Sequence, residues 1–169
     1  MACPISSGYV IGCKDKQSGI ESFAISSYDG STTFTLGTSS VIFNMSPTAS
    51  YYRYEQFVEQ GSATQEEETS NETGTTGITQ TIVLILENMD AATRIKAMAL
   101  MYARVRVLVK LNDGNFLLFG KNKGLRSSAG SAGPGKASTD LGGFSITLSG
   151  KEPEFAHFVD ATYAASIIS

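Results

Sequence analysis

The amino-acid sequence predicts a mainly β (α+β) fold with one α-helix, a long loop and extended arms. Three observations predict it. Short apolar runs with a period of two recur along the chain, separated by clusters of Gly, Asp, Asn, Ser and Pro. A single stretch, Ala91 to Tyr102, is rich in Ala, Met and Leu without Gly or Pro. The 169 residues, 41% of them hydrophobic, suit one globular domain that buries a core without disulfides or metal. We expect an N-terminal arm over 1–19, a single β-rich domain over 20–158 with its helix at about 90–103, and a C-terminal arm over 159–169.

Taken in order, Ile20 to Ser27 reads as a strand through Ile20, Phe23 and Ile25. The turn Tyr28-Asp29-Gly30-Ser31 leads into a second strand, Thr32 to Leu36, and Val41 to Met45 is a third, closed by Ser46-Pro47. Tyr51 to Gln60 reads as a long aromatic strand paired with Thr75 to Glu87, whose apolar C-terminal half suits burial on both faces. Between them, Gly61 to Gly74 reads as a solvated acidic loop. Asp90 caps the helix, and Ala91, Ile95, Met98 and Tyr102 share one face, expected to pack in the core. Val105, Val107 and Val109 mark a half-exposed strand, and Asn112-Asp113-Gly114-Asn115 turns it back through Phe116 to Gly120. After a Gly/Ser/Ala-rich loop, Phe144, Ile146 and Leu148 form the last strand. The apolar tail Ala164 to Ser169 is expected to dock somewhere.

Motifs for chemistry fail on inspection. Gly130-Ser131-Ala132-Gly133-Pro134-Gly135-Lys136-Ala137 imitates a phosphate-binding loop, but Ala137 stands where a hydroxyl must reach Mg²⁺. A strand pattern follows it, where that loop needs a helix. The only histidine, His157, lies among Phe155, Ala156 and Phe158, and a packed ring is favoured over a triad member. Carboxylates in a solvated loop have no fixed separation and no pocket to tune them. Cys3 and Cys13 could pair, though free thiols are favoured, and zinc would need about four ligands. Val10-Ile11-Gly12-Cys13 resembles a lipoprotein cleavage box, but residues 1–9 lack the basic and apolar regions of a signal peptide. No aliphatic run approaches the roughly 20 residues of a membrane span. We therefore expect no enzyme activity, no cofactor, no metal and no membrane partner.

Charge is unevenly distributed. Residues 1–92 carry a net of −8 and residues 93–169 a net of +5, within a total of −3. Such a chain suits head-to-tail association of copies, unless folding intersperses the two signs on one surface. A pI near 5.1 supplies no basic footprint for nucleic acid.

The order of elements resembles bacteriophage tail-tube-like proteins, which implies an antiparallel β-sandwich or small barrel. More narrowly, the chain resembles small virion structural proteins of phages infecting Bacteroidetes, including the crAss-like phages. The resemblance is carried by Cys13-Lys14-Asp15-Lys16-Gln17-Ser18-Gly19-Ile20, the helix around Arg94 to Leu100, and the hairpin Asn112 to Phe116. Asp140-Leu141-Gly142-Gly143-Phe144-Ser145-Ile146-Thr147-Leu148-Ser149-Gly150, followed by Glu152, completes it. The acidic loop and the apolar tail have no match in it. It implies a virion protein made in the bacterial host cytoplasm, whose partners are copies of itself in a hexameric or dodecameric ring and other tail or portal-proximal proteins. DNA would pass through the ring without specific contact. Candidate subunit-contact or lumen residues are Glu66, Glu67, Glu68, Glu72, Lys121, Lys123, Arg126, Ile167 and Ile168. The alternatives are a capsid-decorating or head-fibre protein and, in a different class, a carbohydrate- or cell-binding module using Tyr51, Tyr52 and Tyr54.

Overall fold

Alternation by two residues builds the centre of the molecule, with strands whose opposite faces feed two separate cores. The computed structural model describes residues 8–9, 17–57, 59–70, 72, 74–135 and 142–169. In chain order these form β1 (Ile20–Ser27), β2 (Thr33–Leu36), β3 (Ile42–Ser46), β4 (Tyr52–Glu55), β5 (Ser62–Ser70), β6 (Thr75–Leu86) and α1 (Ala91–Tyr102). Then follow β7 (Arg104–Leu111), β8 (Phe116–Phe119), β9 (Leu125–Gly133), β10 (Gly143–Glu152), β11 (His157–Val159) and α2 (Ala161–Ile167). The protein is mainly β with a mixed sheet. Cys3, Cys13, Lys136 and Ala137 lie outside the described residues.

The sheet runs β2-β3-β11-β8-β7-β9-β10-β6-β5, with β1 on the other edge of β7 and β4 beyond β1. Phe23, Ile25, Val105, Val107, Val109 and Phe119 point into one core with Ile82, Leu84, Leu125, Ile146 and Leu148. Ala24, Leu108, Phe116 and Leu118 point the other way, onto Ile42, Met45, Tyr51, Val159, Ala164 and Ile167. The β1–β7–β8 layer is thus covered on both faces. Each large side chain in it contributes about 1.5–3 kcal/mol by leaving water.

Several expectations are corrected. The sheet is not wholly antiparallel, because β11 runs parallel to β3 at Val159 and Ile42. No hairpin joins those two strands, so no turn dictates their direction. Both residues are buried, and the second core sets how they meet. β7 is buried on both faces from Val105 to Val109 instead of being half-exposed. β4 is short and pairs with β1, Tyr54 opposite Phe23, while β6 pairs with β5 and β10. Alternation marks which way side chains point; it carries no information about which strand lies alongside. The chain breaks after β4, where Glu59 adopts φ 69°.

The segment expected as an acidic loop is largely β5, in register with β6 from Ser62 opposite Val83 to Ser70 opposite Thr75. Its Thr, Ser and Gln residues satisfy the strand period, with Ala63 and Gln65 turned inward. Glutamates on an edge strand also discourage stray pairing. Part of the Gly/Ser/Ala-rich loop is likewise strand β9, paired with β10. A second helix, α2, lies within residues 159–169, expected as a C-terminal arm, and buries Ala164 and Ile167.

α1 spans the residues its composition predicts, capped by Asp90, whose side chain accepts a bond from the Thr93 amide. The buried face is not the expected one. Ala97 and Leu100 are buried, whereas Ile95 is 66% and Tyr102 81% exposed. The helix lies over β9 and β10, and the small Ala97 permits the closer approach to the Ser- and Gly-rich strand beneath it. Leu100→Ala is expected to cost about 2–5 kcal/mol in urea unfolding, and Met98→Ala less than about 1 kcal/mol. Equal costs would mean that the helix packs the other way round.

Candidate functional site

The most organised polar constellation surrounds the turn Gly120 to Gly124, where the chain passes from β8 to β9. Both glycines have positive φ, 71° and 70°. A Cβ at Gly124 would approach the Tyr28 ring to 2.7 Å, so the turn requires glycine there for space as well as conformation. Arg106, 2% exposed, donates to the Lys121 carbonyl at 3.2 Å, to Thr32 Oγ1 at 2.9 Å and to the Asp29 carbonyl at 2.8 Å. Arg104 and the Tyr28 hydroxyl donate to the carbonyls of Lys123 and Asn122. On the amide side, Glu152, also 2% exposed, accepts from Asn122 N at 3.0 Å and Lys123 N at 2.7 Å.

Rings fill the gaps between these cations. Arg104 and Arg106 lie 3.9 and 4.5 Å from the Tyr28 ring centre, and Arg106 lies 5.1 Å from that of Phe34. Gln80 accepts from the Gly120 amide at 2.8 Å and donates to Gln65 on β5 at 3.3 Å. The same Gln65 oxygen accepts from Ala156 N at 2.6 Å. Every member is satisfied by protein groups, which is the signature of a structural network.

Beside it, His157 Nε2 lies 2.9 Å from Lys121 Nζ and 3.0 Å from Glu154 Oε1, and its Nδ1 lies 3.0 Å from the Ser40 carbonyl. Hydrogen bonds from His157 and then Lys121 hold the Glu154 carboxyl down at about 2. His157 is therefore bonded through both nitrogens, and no serine hydroxyl bonds to it among the described residues.

The candidate residues separate into three groups. Glu66, Glu67 and Glu68 are exposed on β5, and Glu72 is exposed at the turn beyond it. Glu68 is bound by Lys151 and Thr79, which lower its pKa. Lys123 and Arg126 are exposed near the clamped turn, Arg126 standing opposite Arg104 in the β7–β9 pairing. Lys121 and Ile167 are drawn inward. The Lys121 side chain is 12% exposed and paired with Glu154, and Ile167 belongs to the second core. Ile168 is half-buried and bridges to Tyr51. The apolar tail thus docks on its own domain.

Sequence reasoning missed Arg106, Glu152, Gln65 and Gln80. Three of them left a signal. Arg106 is the one charge inside the apolar run Val105 to Val109, and Gln80 and Glu152 continue the inward positions of β6 and β10.

Two further surfaces are uncovered. α1 presents Ile95, Met98, Met101 and Tyr102 outward. A cleft of about 710 Å³ separates β4 from the end of β6 and the first turns of α1, with Tyr52, Glu55 and Phe57 on one wall and Ile85 and Leu86 on the other. The three tyrosines proposed for sugar stacking do not form one platform. Tyr51 is buried in the second core, with burial pushing its pKa up to about 12. Tyr54 packs against the first core, and Tyr52 alone is exposed.

These residues define a β-rich domain whose buried charges serve the fold and whose uncovered surfaces include an apolar helix face, an acidic edge strand and the basic Lys123 and Arg126. No known protein family, curated protein or solved structure matches the chain. Among the described residues, no three His, Cys, Asp or Glu side chains group to hold a metal ion, and no helix is long and apolar enough to cross a membrane.

Two outcomes test the network. Glu152→Ala is expected to lower unfolding free energy by about 1–3 kcal/mol, because the amides of Asn122 and Lys123 lose their charged acceptor. A loss below about 1 kcal/mol in urea titration would contradict that role. The depressed Glu154 pKa contributes stability that is present above the ordinary value of 4.5 and is lost as pH falls towards about 2. Melting temperatures across this window should fall less steeply for Glu154→Gln than for the natural chain.

Proposed function

We propose that this chain is a virion structural protein, a subunit of a homo-oligomeric ring or tube in a phage tail that forms part of the genome ejection channel. The observation that carries self-association is the outward apolar stripe of α1, with Ile95 66% and Tyr102 81% exposed. Patches of this kind on a soluble domain mark contact surfaces. The acidic edge strand β5 supports the same reading, since an edge with Glu66 and Glu67 selects a basic partner and rejects its own kind. The assignment to a phage tail rests on the resemblance in element order described above. Two parts of one sheet facing each other across the first of the two cores are also compatible with the small sandwich or barrel of tail-tube-like proteins.

A heterologous contact repeated about an axis closes a ring, and acidic residues lining its lumen would let DNA slide without sticking. Light scattering on the purified chain, over a range of concentrations, tests the reading. A discrete six- or twelve-subunit mass is expected at low salt, falling apart as ionic strength approaches about 1 M and screening shortens to about 3 Å. Replacing Glu66 and Glu67 together with Lys should lower the assembled fraction at low salt. A strict monomer at every concentration would overturn self-driven ring formation.

A further inference from the structure

The outer edge of β4 is half occupied, and the unoccupied half faces the cleft. Tyr51 and the C-terminal residues exchange backbone bonds: Tyr51 N donates to Ile167 O at 2.9 Å and Ser169 N to Tyr51 O at 2.8 Å. Arg53 N donates to Ser169 O at 3.2 Å, so its amide points away from β1. Glu55, two residues further, presents its amide and carbonyl in the same direction. Among the described residues no strand lies against them, because β4 pairs with β1 alone. Across the cleft, β6 is also open on that side beyond Val83, where its pairing with β5 ends. Gln56, at the cleft's end, has both side-chain polar atoms buried without a hydrogen-bond partner.

We propose that this cleft receives an extended strand from the N-terminal segment of a second copy of the chain, which adds to the open edge of β4. The segment before Gln17, residues 1–16, is long enough to reach a neighbour, about 50 Å when extended. Its Tyr9-Val10-Ile11 stretch is uncharged and rich in strand formers, and Tyr9 is 90% exposed on its own chain. The cleft suits an uncharged occupant, since Arg53 and Lys96 balance Glu55 and Glu87 around its rim. Geometry favours the neighbour's segment over the chain's own. The Ser18 carbonyl accepts from Asn112 Nδ2 at 3.1 Å, and the Gly19 carbonyl from Asn112 N at 3.1 Å. These bonds tie the start of β1 to the β7–β8 turn, on the side of β1 away from β4.

The inference rests on self-association, the core of the reading above, and not on ring closure. The test places a photo-crosslinking phenylalanine analogue at Tyr9 in the full-length chain and maps the products by mass spectrometry. The expected products are intermolecular crosslinks to residues 52–57 or 85–88. Glu55→Pro removes the outward amide together with the carboxylate that lies 3.4 Å from Arg53. Glu55→Gln, which loses the charge and keeps the amide, serves as its control. Proline is tolerated on an edge strand, so Glu55→Pro should keep a melting temperature close to that of the natural chain. It should weaken self-association by about fivefold to tenfold and remove those crosslinks. Crosslinks confined to one chain or falling on another surface would overturn the inference, as would a strict monomer. Rings that persist in Glu55→Pro with crosslinks elsewhere would sink it while sparing the ring reading. Cleft crosslinks within a closed two-subunit mass would do the reverse.

Discussion

The turn from Gly120 to Gly124 is held between a buried guanidinium and a buried carboxylate, and the architecture depends on that clamp. Its carbonyls face Arg104 and Arg106, and its amides face Glu152 and Gln80. An unpaired buried charge costs several kcal/mol, and here the peptide dipoles of one tight turn separate and satisfy two opposite ones. The turn lies where β7 passes from one neighbour to the next along a single edge. Val107 pairs with Phe119 of β8, and two residues earlier Val105 pairs with Leu125 of β9. A sheet can branch this way only if the intervening residues are fixed out of the ladder with their polar groups satisfied. The clamp does both.

That branch point explains why one continuous sheet encloses two cores. β8 continues the central layer towards β11 and β3, and β9 starts the other part of the sheet, which carries β10, β6 and β5. The side chains of β1 and β7 therefore have cover on both faces, supplied on one side by β6, β9, β10 and α1 and on the other by β3, β11 and α2. Gln65 extends the same network outward, fixing the inner face of β5 against the Ala156 backbone and Gln80. The acidic strand is consequently a held surface, and a held surface can present its carboxylates at fixed spacing to another molecule. A mobile acidic loop could not.

Much of this was legible in the sequence. β1 and α1 end where period, capping and the next turn say they should, because those signals are local. The hairpin at Asn112 to Asn115 is equally local. What was not legible depended on partners distant in sequence. Ser62 to Ser70 lacks apolar alternation, and its strand character comes from β6 alongside it. Spacing pointed to Ala91, Ile95, Met98 and Tyr102 as the buried face of α1, but Ala97 and Leu100, on the opposite face, are the residues buried. The Ser- and Gly-rich strand beneath the helix chose the smaller side chain. Of the candidate residues, the β5 glutamates stayed outside, whereas Lys121 and Ile167 were claimed by the domain's own interior. Composition cannot separate those outcomes, because both lysine and isoleucine can serve either surface or core.

Charge completes the argument for what is left over. Folding cancels part of the asymmetry between the two halves of the chain: Glu21 meets Lys110 at 2.7 Å, and Glu68 meets Lys151. Such exposed pairs are screened by solvent and add little, so the fold does not need them. Glu66, Glu67 and Glu72 remain on the projecting β5–β6 hairpin, and Arg126 sits beside Arg104 on the far side of β10 and β6. Like charges held opposite each other on one strand pair oppose folding slightly, and within the chain Arg104 is compensated by the Lys123 carbonyl and the Tyr28 ring while Arg126 stays in solvent. In the proposed assembly, the acidic edge of β5 and the outward apolar stripe of α1 would give each copy contacts of two kinds, one that selects by charge and one that adheres by burial.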